Sequence, residues 1–231
     1  LRARSFFRAV DQTEKIKAAI KALAPRSSLR ERPDLTPENV VAHIPAPEIP
    51  PSFYRHVAAL YDARGQIRQA LDLLRRAEIL NDPSVDTVMN YTILKEPKAG
   101  YPEIREVARH WARRHAKPIY GKGDPKFRVL DAERKVRIAY HCSWMDSYVF
   151  EYIMGRAIQS HDRSKFEVFG YSYSPVPKRL AKMFDEVRLT GGLSDSDFVD
   201  SVRRDEIDIF IETSGFSHFN RFAAMASRCA P

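Results

Sequence analysis

In "ERKVRIAYHCSWMDSYVFEY", residues 133–152, an apolar run stops at a turn and restarts as a helix. Alpha/beta proteins place their chemistry at such turns. This one holds no glycine-rich phosphate loop. His141 and Cys142 close the apolar run and have the types of a catalytic pair. Neighbours on a strand point to opposite faces, so they do not form one, and a cysteine nucleophile is discarded. Tyr148 follows. Its phenol can donate a hydrogen bond, but a reference pKa near 10 makes it a poor base at neutral pH. A second site-shaped turn is "TSGFSHFNR", residues 213–221. Gly215 lets the backbone turn tightly and approach a ligand. A helix expected from Phe219 offers amide donors at its start. His218 and Asn220 also suit the plainer role of capping that helix, and both roles stand open.

The elements that carry these turns alternate. Strand-length runs are "VRIAY" (136–140), "FEVFGYSY" (166–173), "EVRL" (186–189) and "IDIFIE" (207–212). Helices are expected near 147–160, 176–184, 195–204 and 219–228. Ser194 is a helix cap, with acidic residues in the turn after it. Such repetition predicts α/β architecture with a Rossmann-like, parallel, doubly wound sheet of about four strands.

Upstream the pattern is helical. Residues 5–23 carry Phe6, Phe7, Val10, Ile16, Ile20 and Leu23 at helical spacing, and "DLTPENVVAHI" predicts a short helix. "IPAPEIPP" breaks it, because proline lacks a donor and clashes with the preceding turn. Residues 51–84 fit one tetratricopeptide-type repeat of about 34 residues. Small Ala58, Ala70 and Ala77 would let two helices approach, with Tyr61 and Leu74 filling the groove and Gly65 permitting the turn. Tyr54 and Tyr61 are the candidate partner-binding residues. An ordinary helical hairpin is the simpler alternative. A further helix is expected near 86–96. "PEIREVARHWARRHA" predicts another, with Ile104, Val107, Ala108, Trp111, Ala112 and His115 on one face. His110 and His115 are five apart and do not share a face as a metal pair would. The expected organisation is a lead-in over 1–50, a helical region over 51–117, a linker over 118–133 and the sheet over 134–231.

Composition narrows the class. A hydrophobic fraction of 44% suits a packed core. No apolar run reaches the roughly 20 residues that span a bilayer, and no signal peptide is visible. The two cysteines form neither a CxxC pair nor a metal cluster, so a reducing compartment and a cytoplasmic location are expected. The net charge of +8 admits an acidic partner. Its basic residues interleave with acids and form no arm with aromatics, which argues against nucleic acid.

"RKVRIAY", "HDRSKFEVFGYSYSP", "DEIDIFIETSGFSHFNR" and "RCAP" together resemble the first catalytic half of the O-GlcNAc transferase and SPINDLY-like family. The resemblance covers roughly residues 51–231, with "VARHWARRHA" similar to the segment joining repeats to catalytic region. It implies half of a GT-B architecture in a protein O-glycosyltransferase. Such an enzyme moves a sugar from a UDP-sugar to Ser or Thr of an acceptor protein gathered by the repeats. No cofactor or metal is implied beyond the UDP-sugar donor. Most of that donor is held by a second half, expected beyond Pro231. The resemblance places Tyr148 and Tyr152 where the family has histidines, and Trp144 where it has an aspartate. Ser214 and Gly215 match its S-G, Phe216 replaces its His or Tyr, and Asn220 and Arg221 match its N-R. Tyr148 and His218 are thus the implied catalytic candidates, with Ser214, Gly215, Asn220 and Arg221 as substrate-binding ones. The alternative is a binding module derived from that family that no longer transfers sugar.

Overall fold

A computed structural model of the chain describes residues 47, 49–120 and 133–231, which fall into two compact units, one ending at Trp111 and one beginning at Ala112. The helices expected over 5–23 and 34–44, and most of the expected linker, lie outside the described residues.

The first unit is helical. Pro51, at the first position where its missing N–H costs nothing, opens α1 (Pro51–Ala63). Gly65 turns the chain with φ of 73°, and α2 (Ile67–Arg76) follows. The small Ala58 and Ala70 are buried with Phe53, Val57, Leu71 and Leu74, so the two helices meet as their spacing predicts. Asp82 then accepts hydrogen bonds from the Ser84 and Val85 amides and starts α3 (Pro83–Ile93). Trp111, at the end of α4 (Tyr101–Trp111), donates its indole N–H to Thr87 Oγ1 at 3.1 Å. After Trp111 the second unit begins with a π-helical segment, Ala112–Ala116. That change of register takes Ala112 off the expected apolar face, and it is exposed. Tyr54 is fully buried, edge-on to Phe53, and Tyr61 is half-buried against the same cluster. Tyr54 is therefore a core residue; its ring faces no partner surface.

The second unit is a four-stranded parallel sheet in the order β3-β2-β1-β4. Its elements are β1 (Val136–Cys142), α5 (Tyr148–Gln159), β2 (Phe166–Ser172), α6 (Lys178–Ala181), β3 (Glu186–Leu189), α7 (Asp195–Arg204), β4 (Ile209–Glu212) and α8 (Phe222–Ala226). Two faces are covered, as a parallel sheet requires. Ile138, Tyr140, Cys142 and Val168 pack with Phe150 and Ile158 of α5 and with Leu180, Met183 and Phe184. On the other face Ala139, Phe169 and Tyr171 pack with Phe198, Val199 and Val202 of α7 and Ala224 of α8. Ser194 caps α7 by accepting from the Asp197 amide. No helix among the described residues is long and apolar enough to cross a membrane.

Two helices are shorter than expected. Helix α6 ends at Ala181, where the chain turns so that Met183 and Phe184 reach the core. Helix α8 begins at Phe222, three residues after the position its pattern suggests, for reasons that lie in the site.

Candidate functional site

Strand order places the site. β2 and β3 extend the sheet to one side of β1, and the chain then crosses back to lay β4 on the other. The helix following β1 covers one face and the helix following β4 covers the other. The chain therefore leaves β1 and β4 toward opposite faces, and the carboxyl ends of these two strands are the usual ligand position in open α/β sheets. Both turns singled out from the sequence lie there.

Hydrogen bonds sew the two strand ends together. Ser143 donates from its amide and its hydroxyl to Ser214 Oγ, at 2.9 and 3.0 Å. Thr213 donates its hydroxyl to the His141 carbonyl at 2.7 Å. Beneath this lies a pair that sequence reading missed. His141 Nδ1 and Glu212 Oε2 are 2.7 Å apart, with side chains 0% and 1% exposed. The same carboxylate accepts from the Ser214 amide at 2.7 Å and from the Arg221 amide at 2.7 Å. One buried side chain thus clamps both ends of the loop from Ser214 to Arg221. His141 Nε2 is buried without a hydrogen-bond partner, among the rings of Phe198 and Phe210. His141 and Cys142 do face opposite sides of the sheet, with Cys142 in the α5 layer. Burial pushes the Cys142 thiol up, against hydrogen bonds from the Trp144 amide, Thr213 and Ser214.

The clamp explains the late start of α8. The Arg221 amide goes to Glu212, and the Phe222 amide goes to Asn220 Oδ1 at 3.2 Å. Asn220 also donates to the Ser217 carbonyl at 2.8 Å, so it caps the helix and braces the loop. Arg221 points inward. Its guanidinium donates to the carbonyls of Thr190 and Leu193, pairs with Asp195 at 2.8 Å and lies over the Phe198 ring. It holds the β3–α7 connection against this loop. Gly215 is exposed with φ of 57°. His218 is exposed on the same loop, its ring 6.0 Å from that of Phe219. Phe216 packs edge-on to Phe222.

In the turn after β1, Ser147 caps α5, accepting from the Val149 amide at 3.1 Å. Tyr148, in the first turn, is 67% exposed. Tyr152 is also exposed. The structure therefore brings Ser214 and Gly215 to the end of β4 beside Ser143, and sets Tyr148 in the first turn of α5 and His218 on the loop after β4. The signal for His141–Glu212 was present in the sequence as a polar residue ending each of two apolar runs.

No protein-family model matches the chain. Over 141 residues it is 29% identical to the probable UDP-N-acetylglucosamine–peptide N-acetylglucosaminyltransferase SPINDLY of Arabidopsis thaliana, covering 56% of this chain and 15% of that protein. Among solved structures it matches a mutant of the O-GlcNAc transferase of Thermobaculum terrenum with a TM-score of 0.74 at 24% identity, over 98% of this chain and 42% of the other. The chain thus spans less than half the length of either relative. In sequence and in fold it is similar to the O-GlcNAc transferase and SPINDLY-like glycosyltransferases.

Proposed function

We propose that this chain forms the acceptor side of a protein O-glycosyltransferase of the O-GlcNAc transferase-like type, acting with a UDP-sugar. The observation that carries the proposal is the pair of turns at the carboxyl ends of β1 and β4, joined through Ser143 and Ser214 and held by the Glu212 clamp. Similarity to SPINDLY and to a solved O-GlcNAc transferase supports the reaction class. In this reaction a Ser or Thr hydroxyl oxygen attacks the anomeric carbon. The bond from that carbon to the UDP oxygen breaks, UDP leaves with the electron pair, and the hydroxyl proton passes to a base. His218, exposed on the loop after β4, is a side chain suited to take that proton near neutral pH. Tyr148 is suited to donate a hydrogen bond to the acceptor. Gly215 leaves room for a close backbone approach. Asn220 and Arg221 act by shaping the loop, since their polar groups are turned to the protein. Most of the donor is bound by a second half outside residues 1–231. The helical unit serves as one repeat of an acceptor-gathering array.

A second reading is favoured by one observation. Tyr148, Tyr152 and Phe216 stand where the family carries histidines or, at 216, a histidine or tyrosine. On that reading the chain binds partner proteins and transfers nothing. Labelled UDP-N-acetylglucosamine supplied to the protein in its native source decides between them. Transfer of label to protein, reduced at least tenfold by His218→Ala and less by Tyr148→Phe, is the expected result. Transfer untouched by both substitutions would overturn the site assignment. Absence of transfer would leave the binding module.

A further inference from the structure

Phe219 and Tyr173 form a stack at the carboxyl edge of the sheet that the proposed transfer does not use. Their ring centroids are 3.8 Å apart and their planes differ by 11°. Phe219 adopts φ of 63°, a left-handed conformation that is unusual for a bulky side chain and unfavourable for any residue with a Cβ. Yet the residue is 52% exposed. A strained backbone that holds an apolar ring in water gains little for the fold, and such strain gathers at ligand sites.

Both rings are held from below. Tyr173 follows the last residue of β2, and its carbonyl passes so close to Gly191 that a Cβ there would lie 2.4 Å from it. Phe219 rides on the loop whose ends are tied to Glu212 at Ser214 and Arg221. Tyr173 covers one face of Phe219, so the exposure of this residue falls to its outer face and edges. That outer face carries the negative side of the ring quadrupole, which attracts polarised C–H groups.

We infer that the Tyr173–Phe219 stack is a binding platform for a hexopyranose ring, taken on the outer face of Phe219. A pyranose with equatorial hydroxyls has a face of axial C–H groups and a rim of hydroxyls. One open aromatic face in water suits such a ligand, because the C–H face is desolvated while the hydroxyls stay hydrated or reach a neighbour such as His218. A planar base gains most when covered on both faces or bonded along its edge, and Tyr173 already occupies the inner face. The platform extends the proposed transferase reading by a sugar subsite on the acceptor side. It is tested by binding alone, so it stands or falls apart from transfer.

The test is saturation-transfer NMR on the whole protein with methyl N-acetyl-β-glucosaminide, and with uridine in a separate arm. The expected result is transfer to the pyranose ring protons, with affinity lowered about tenfold in Phe219→Gly, the loss that removing one stacking partner produces. Glycine at 219 accepts the positive φ, so strain relief offsets the lost stack and the variant keeps its melting temperature within a few degrees. Phe219→Trp restores binding, and Tyr173→Ala weakens it. Equal sugar binding by wild type and Phe219→Gly overturns the inference. So does absence of sugar binding to the wild type, or binding of uridine in its place.

Discussion

Removing the Glu212 carboxylate should undo the loop that carries most of the candidate site. In Glu212→Ala three buried donors lose their acceptor: the Ser214 amide, the Arg221 amide and His141 Nδ1, each 2.7 Å from a carboxylate oxygen. An unpaired buried donor costs about 1–3 kcal/mol. Against this stands the desolvation of the carboxylate itself, which the alanine no longer carries. The net loss expected is about 3–5 kcal/mol, the range found when one member of a buried pair is deleted. That is a large share of the roughly 5–15 kcal/mol that holds a domain together. Glu212→Gln keeps one acceptor oxygen but turns an amide donor toward other donors, and should lose about 1–3 kcal/mol. Urea unfolding followed by tryptophan fluorescence in a Trp111→Phe background, where Trp144 is the remaining tryptophan, measures the change in the sheet unit. Hydrogen exchange adds a local reading, in which the Ser214 and Arg221 amides lose protection before the amides of β1. A loss below about 1 kcal/mol in the alanine variant, with the Arg221 amide still protected, would show that the clamp does not hold the loop.

Two further outcomes follow from other parts of the sheet unit. Gly191→Ala sets a Cβ 2.4 Å from the Tyr173 carbonyl, a backbone atom that cannot swing aside; a loss of about 1–3 kcal/mol in urea unfolding is expected, as for other overpacked sites. Neutral behaviour there would mean the Tyr173 segment is loosely held. Burial pushes the Cys229 thiol up to about 11 and the Cys142 thiol up as well. Iodoacetamide at pH 8 should therefore label neither in the native protein within minutes and both in urea. With the folded pKa raised, the thiol contribution to stability is full below the unfolded pKa of about 8.5 and is lost as pH rises through 11. Rapid native labelling at pH 8 would contradict the burial of both.

Much of the architecture was legible because strand and helix periodicity is local. The apolar runs at 136–140, 166–173 and 207–212 became the strands Val136–Cys142, Phe166–Ser172 and Ile209–Glu212, and Ser194 with its acidic followers capped a helix. The start of α8 was not legible. Residues 219–221 look able to enter a helix, but the amide donors here are taken by Glu212 and Asn220, and Phe219 is held in a left-handed conformation. Tyr54 failed in another way. Its type suits a partner surface as well as a core, and only the packing of α1 on its neighbours decides which.

By itself the sequence determined the alternation of strands and helices, the two turns where chemistry could sit, and a resemblance that a curated relative and a solved fold both support. Tertiary structure decided what those turns contain. His141 and Glu212 lie 71 residues apart and meet because β1 and β4 are parallel neighbours in register. Arg221 has the type of a ligand-binding residue, yet its guanidinium is turned inward onto carbonyls of the β3–α7 connection. Composition and spacing record which groups a chain possesses. Pairing across a sheet depends on strand order and register, which arise only when distant segments bury their apolar faces together.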